Sequence, residues 1–153
     1  MDLQIIDNGN GVDVCFNGRD LVVIDGFQNM PYLGMFGGNV KQSTKQFSEG
    51  EERFDFWGNS LLMVQNETIQ FNSNFERLLF EMALTSSTIL VAEETIKTDL
   101  KFMSNFSDFT VETSIIAVDK LKIFINFNKP NNLDSKDFVY IWDATKKELT
   151  KED

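Results

Sequence analysis

The chain opens with three short apolar stretches, Leu3-Gln4-Ile5-Ile6, Val12-Asp13-Val14-Cys15-Phe16 and Leu21-Val22-Val23-Ile24. Between them stand Asp7-Asn8-Gly9-Asn10-Gly11 and Asn17-Gly18, and Asn and Gly tolerate the positive φ that tight turns between twisted strands require. The pattern predicts a three-stranded antiparallel meander over residues 1–24. In its middle strand Val12, Val14 and Phe16 face one way and Asp13 and Cys15 the other, which predicts a half-solvated sheet.

From Asp25 to Gly38, Phe27, Met30, Leu33 and Phe36 recur every three residues, while Pro31, Gly34 and Gly37-Gly38 oppose a stable helix. A short helix starting near Asp25 is the expectation. The polar run from Asn39 to Gly50 has no periodicity to anchor it and predicts an exposed loop, leading into Phe54-Asp55-Phe56-Trp57. Residues 25–72 therefore read as a short helix and a loop.

Ser73 and Glu76 have the spacing of a capping box, in which the hydroxyl accepts from a backbone N–H and the carboxylate reaches back to the cap residue. Phe75, Leu78, Leu79, Met82 and Ala83 then follow the spacing of a core-facing helix. Thr85-Ser86-Ser87-Thr88 breaks or bends it, and a second helix is predicted from about Ser87 to Lys97, its stripe formed by Ile89, Leu90, Glu93, Ile96 and Leu100. The helical region spans residues 73–104.

After Asn105 the period becomes two. Phe109, Val111, Thr113, Ile115 and Ala117 alternate with Thr110, Glu112, Ser114 and Ile116, and Leu121, Ile123, Ile125 and Phe127 with Lys122, Phe124 and Asn126, with a turn at Val118-Asp119-Lys120. Lys129-Pro130-Asn131-Asn132 ends this hairpin, and Phe138-Val139-Tyr140-Ile141-Trp142 predicts one further strand, so that antiparallel strands fill residues 105–145. The charged tail, residues 146–153, is expected to fray. Strands, helices, then strands predict an α+β fold in a single domain, 1–153: an N-terminal antiparallel β-meander, central helices and a C-terminal β-hairpin plus one further strand.

Composition narrows the chemistry. The 153 residues include 15 Phe, 2 Trp and 2 Tyr, enough apolar surface to build one core. With 14 Lys+Arg against 24 Asp+Glu the net charge is −10, the wrong sign for a protein whose affinity comes from neutralising phosphates, so no direct nucleic-acid partner is expected. The sequence has no histidine, which excludes Ser-His-Asp and Cys-His catalysis and Cys/His zinc sites. Its single cysteine, Cys15, cannot form an internal disulfide, reads as a packing residue, and fits a reducing compartment. No apolar run approaches a membrane span, and the opening Met1-Asp2-Leu3-Gln4-Ile5-Ile6-Asp7-Asn8-Gly9 lacks the regions of a signal peptide, so a soluble cytoplasmic chain without membrane insertion is expected.

Carboxylates remain as acid/base candidates. Glu49, Glu51, Glu52 and Asp55 cluster in the predicted loop, and Glu93 and Glu94 adjoin on a helix. Glycoside chemistry needs two carboxyls across a cleft, whereas adjacent helical residues point about 100° apart, so these read as solvated positions. Neither a calcium loop nor a phosphate-binding glycine motif is present, and no catalytic residue, cofactor or metal is expected.

Surface suited to binding protein is what remains. Phe54, Phe56 and Trp57 are either interface anchors or ordinary core residues. The strand carrying Phe138, Tyr140 and Trp142 is apolar on both faces, so it is either central in its own sheet or completes a sheet with another chain.

From Met1 to about Phe127 the arrangement resembles the small baseplate wedge proteins of Mu-like contractile-tailed phages, related to the sheath-initiating wedge protein of contractile injection systems. The residues that carry the resemblance are Met1-Asp2-Leu3, then Gly18-Arg19-Asp20-Leu21-Val22 followed by Asp25-Gly26-Phe27, then Phe56-Trp57-Gly58-Asn59 after a polar loop, and finally the hairpin from Val111 to Phe127. Phe56 stands where the family has a first tryptophan and Asn59 where it has an acidic residue, and Lys97-Thr98-Asp99-Leu100 occupies the neighbourhood of a Glu-Pro-Arg signature found in broader relatives.

The resemblance implies a structural, non-enzymatic role in virion assembly: a subunit of the inner baseplate that packs against other wedge subunits and offers strands on which the first sheath proteins polymerise. It implies assembly in the host cytoplasm, residence in the particle's baseplate and oligomers only within that particle. Phe54, Phe56 and Trp57 would be a packing anchor, and the hairpin with Phe138, Tyr140 and Trp142 a sheet-completing surface. Two other functions stay open, a free-standing cytoplasmic binding or immunity module and a carboxylate-dependent glycan hydrolase.

Overall fold

The computed structural model describes residues 2–7, 12–38, 72–128 and 135–152. The predicted loop after Asn39, the acidic positions Glu49, Glu51, Glu52 and Asp55, and the aromatic positions Phe54, Phe56 and Trp57 lie outside the described residues.

The fold is α+β. Four short strands, β1 (Asp2–Leu3), β2 (Ile5–Asp7), β3 (Val12–Val14) and β4 (Val23–Ile24), precede a 3₁₀ turn at Gly26–Gln28 and helix α1 (Met30–Phe36). Helices α2 (Asn74–Glu81) and α3 (Ser86–Asp99) follow, then a 3₁₀ turn at Lys101–Asn105. The chain closes with β5 (Asp108–Ala117), β6 (Lys120–Asn128), β7 (Lys136–Asp143) and β8 (Glu148–Glu152), an antiparallel sheet in the order β5-β6-β7-β8.

The core lies between one face of this sheet and the helices. Alternation places Leu121, Ile123, Ile125 and Phe127 of β6 on that face, and the register sets Phe138 opposite Ile125, Tyr140 opposite Ile123 and Trp142 opposite Leu121. Met35, Phe75, Ala92, Ile96, Leu100 and Met103 cover them from the helical side, all fully buried. Aromatic edges join the layers. Phe127 meets Phe27 edge-on at 5.1 Å between ring centroids and Phe138 at 5.7 Å, while Trp142 takes Phe80 edge-on at 5.3 Å.

Side chains at the helix ends fix how the helices sit. The Ser73 hydroxyl accepts from the Glu76 N–H at 3.2 Å and donates to the Met35 carbonyl, so one residue caps α2 and ties it to α1. The reciprocal half of the predicted capping box is redirected: the Glu76 carboxylate takes the Gly38 N–H at 3.1 Å, and the Ser73 N–H donates to the Gly38 carbonyl at 2.7 Å. Asp99, at the end of α3, accepts from the Phe75 N–H at 2.7 Å and from Asn74 Nδ2 at 2.9 Å, a cap on α2 supplied by a residue 24 positions away from Phe75. Thr85 caps α3, its hydroxyl accepting from the Thr88 N–H.

Four expectations are corrected. The first helix begins as a 3₁₀ turn and becomes α-helical only at Met30, with Pro31 in the first turn, where its missing N–H costs nothing. Helix α2 stops at Glu81, so Met82 and Ala83 leave the helical stripe and are exposed. The buried face of α3 is Thr88, Ala92 and Ile96, small or β-branched residues four apart that permit close approach to the sheet, continued by Leu100 at the helix's C-cap; Leu90, assigned to that face by periodicity, is 68% exposed. The tail is a strand: residues 144–147 turn, Lys147 adopts a positive φ of 57°, and β8 pairs with β7 through Trp142↔Leu149. Leu149 is buried, and that single apolar residue anchors an otherwise charged edge strand.

Candidate functional site

The structure places the three C-terminal candidates in the core. Phe138, Tyr140 and Trp142 are buried on the helix-facing side of the sheet, and β7 is hydrogen-bonded to β6 on one side and β8 on the other. Their assignment as sheet-completing surface is therefore corrected: all three side chains are buried, and from Val139 to Asp143 both edges of the strand are paired and offer no backbone groups to another chain. Of the two roles left open for this strand, it takes the central one.

Exposed apolar surface gathers instead on the N-terminal strands. Leu3, Val14, Phe16, Leu21 and Val23 are between 38% and 62% exposed. They share a side by register. Leu3 stands opposite Val23, Ile5 opposite Val14 and Phe16 opposite Leu21, while alternation carries Val14 and Phe16 to the same face. The residues between them hold the strands together: the Gln4 N–H donates to the Val22 carbonyl, the Cys15 N–H to the Gln4 carbonyl and the Val22 N–H to the Cys15 carbonyl, all at 2.8–2.9 Å. The first strand segment thus pairs with both others, a closure beyond a simple meander. Cys15 and Val22, on the alternate side, are half-buried, so the apolar face of the middle strand turns outward.

Gly18-Arg19-Asp20 forms the bend between Phe16 and Leu21. Gly18 has a positive φ of 93°, and the Asn17 side chain accepts from the Arg19 and Asp20 N–H groups at 3.2 and 3.0 Å. Asn29 fastens this unit to α1: its Nδ2 donates to the Leu3 carbonyl at 2.6 Å and to Asp2 at 3.1 Å, and its Oδ1 accepts from the Ile5 N–H. At the other end of the bend, Asp25 pairs with Lys136 of β7 at 3.4 Å.

The large sheet has two outer strands among the described residues, β5 and β8. The ten-residue β5 is the longer. Glu93 of α3 engages it from the helical side, its carboxylate accepting the Thr113 N–H at 2.9 Å, which shows that this N–H points away from β6. Glu93 is thereby a structural acceptor, and the adjacent Glu94 pairs with Lys97 at 3.2 Å, so the two carboxylates serve different partners and do not face each other. Among the described residues no group of three or more acidic or thiol side chains could hold a metal ion, and no helix is long and apolar enough to cross a membrane.

Phe16 and Val14 carried a legible signal, alternation, but alternation does not say which face is covered. Leu21-Val22-Val23-Ile24 is apolar on both faces, a pattern that points to burial on both sides and so gave no signal of the exposed one. Comparison with known proteins finds no match for this chain among family models, curated proteins or solved structures.

Proposed function

We propose that this chain is a structural wedge subunit of the baseplate of a contractile phage tail or tail-like injection device, helping to assemble the inner baseplate and to initiate the sheath through protein–protein contacts. One observation carries the reading. Gly18-Arg19-Asp20-Leu21-Val22, one of the motifs that carry the resemblance, forms the bend that aligns Leu21 with Phe16 and builds the exposed apolar face. A contiguous apolar face of this kind marks an interaction surface. Packing against other wedge subunits is assigned to it, and strand pairing with sheath protein to an outer edge of the large sheet, β8 or the part of β5 away from Thr113, whose N–H is held by Glu93, since β7 is internal.

Co-expression with the wedge and sheath proteins encoded beside it, followed by affinity capture of the tagged chain, tests this. The wild-type chain should retain a wedge subunit and Phe16→Ser should lose it while staying folded. Failure of the folded wild-type chain to capture any tail protein would remove the proposal. The same face would also suit a free-standing binding module with one small partner. Incorporation into purified tail particles separates the two.

A further inference from the structure

The two outer strands of the large sheet meet the same hazard, because an edge strand presents a row of N–H and C=O groups that templates pairing with another chain. β8 carries its own protection. It is five residues long, and Glu148, Lys151 and Glu152 are charged. β5 is ten residues long, has neither proline nor lysine, and its second half runs through Thr113-Ser114-Ile115-Ile116-Ala117 without a charge. A stretch of that composition, rich in β-branched residues and neutral, is a ready template for strand addition.

Protection of β5 comes from elsewhere in the chain. Backbone groups of alternate residues in a strand point the same way, so Phe109, Val111 and Ile115 direct their N–H and C=O to the same edge as Thr113. Among the described residues the edge-side N–H groups of Phe109, Val111 and Ile115 meet no protein acceptor, whereas that of Thr113 meets the Glu93 carboxylate at 2.9 Å. The Thr113 hydroxyl ties the strand to the same helix a second time, donating to the Ile89 carbonyl at 3.3 Å. A β-bulge between Ile115 and Ala117 breaks the register at one end of the edge. An added strand needs consecutive edge-side pairs, and Glu93 fills the position between Val111 and Ile115.

We propose that Glu93 is a guard residue, an autoinhibitory contact in which a carboxylate of α3 occupies the central edge-side N–H of β5 and keeps the free chain from adding a strand there. The strand it excludes has the pattern of β5 itself. When two such strands pair antiparallel about Thr113, Val111 falls opposite Ile115 and Glu112 opposite Ser114, so apolar residues meet on one face and no like charges meet on the other. The contact is made by a residue 20 positions away, so it exists only while α3 is packed on the sheet. This guard does not depend on the baseplate role.

Titration of the isotope-labelled full chain with a synthetic peptide of the β5 sequence, Asp108 to Ala117 with both ends blocked, followed by amide NMR, tests it. In the wild-type chain the β5 amides should not shift, and the Thr113 amide should exchange with solvent more slowly than those of Phe109 and Ile115. Glu93→Ala should remove that protection and take up the peptide about tenfold more tightly than the wild-type chain, the effect of one freed hydrogen bond, with saturable shifts at Val111, Thr113 and Ile115. Glu93→Gln keeps an acceptor oxygen and should stay closed. Saturable β5 shifts in the wild-type chain, or a wild-type Thr113 amide that exchanges as fast as those of Phe109 and Ile115, would overturn the proposal without any variant. A folded Glu93→Ala chain that takes up the peptide no better than the wild type, or a Glu93→Gln chain that takes it up as well as Glu93→Ala, would overturn it too.

Discussion

The large sheet and the small N-terminal strand pairs are written in nearly the same alphabet and end in opposite states. In β6 and β7 the alternating apolar residues Leu121, Ile123, Ile125, Phe127, Phe138, Tyr140 and Trp142 are buried, whereas in the N-terminal strands Leu3, Val14, Phe16, Leu21 and Val23 alternate just as regularly and stand exposed. Alternation makes a face, but only a covering layer makes that face a core. The helices supply that layer to the large sheet through Met35, Phe75, Ala92, Ile96, Leu100 and Met103. Among the described residues the outward face of the small sheet has none, and that difference underlies its assignment to binding.

The contrast predicts a graded set of mutational effects. Phe127→Ala should cost about 3–5 kcal/mol in urea denaturation, because the ring is fully buried against Phe27, Phe109 and Phe138 and its removal leaves a cavity. Asp99→Ala should cost about 1–3 kcal/mol, since it strands the N–H groups at the start of α2. Ser73→Ala should cost about 1 kcal/mol through the lost cap on α2 and the lost tie to α1. Phe16→Ala should change stability by no more than about 0.5 kcal/mol, and a loss comparable with that of Phe127→Ala would mean that the outward face is a second core.

Two carboxylates give the comparison a pH dimension. Burial raises the Asp99 pKa despite the N–H groups of Phe75 and Asn74, which lower it. The folded chain therefore holds this proton to a higher pH than the unfolded chain does, and its contribution to stability declines as pH rises from the unfolded to the folded value. Asp143 runs the other way: the Lys146 N–H holds its carboxyl below the usual range, aided by Thr145 and Lys120, and its contribution, present above the unfolded pKa, is lost as pH falls through the folded one. Stability curves against pH should flatten on the alkaline side of this window in Asp99→Asn and on the acid side in Asp143→Asn.

Much of the architecture was legible along the chain. The Ser73 cap, the break at Thr85, the β5–β6 hairpin and the presence of a strand at Phe138–Trp142 all rest on interactions between residues close in sequence. What escaped detection rests on distant partners. The Glu76 carboxylate goes to Gly38 because α1 ends beside α2. Leu90 points outward because the small residues Thr88 and Ala92 are the ones that let α3 approach the sheet. The charged residues after Lys146 form a strand because Leu149 finds Trp142 across the register.

The sequence by itself determined the α+β order, the periods of its helices and strands, and the exclusion of histidine-dependent chemistry, because each depends on local conformational preference or on which functional groups exist at all. Only the tertiary structure decided which apolar faces are covered, and that β7 is central and β5 an edge. Burial and convergence are relations between elements far apart in the chain, and local periodicity carries no information about which element will pack against which.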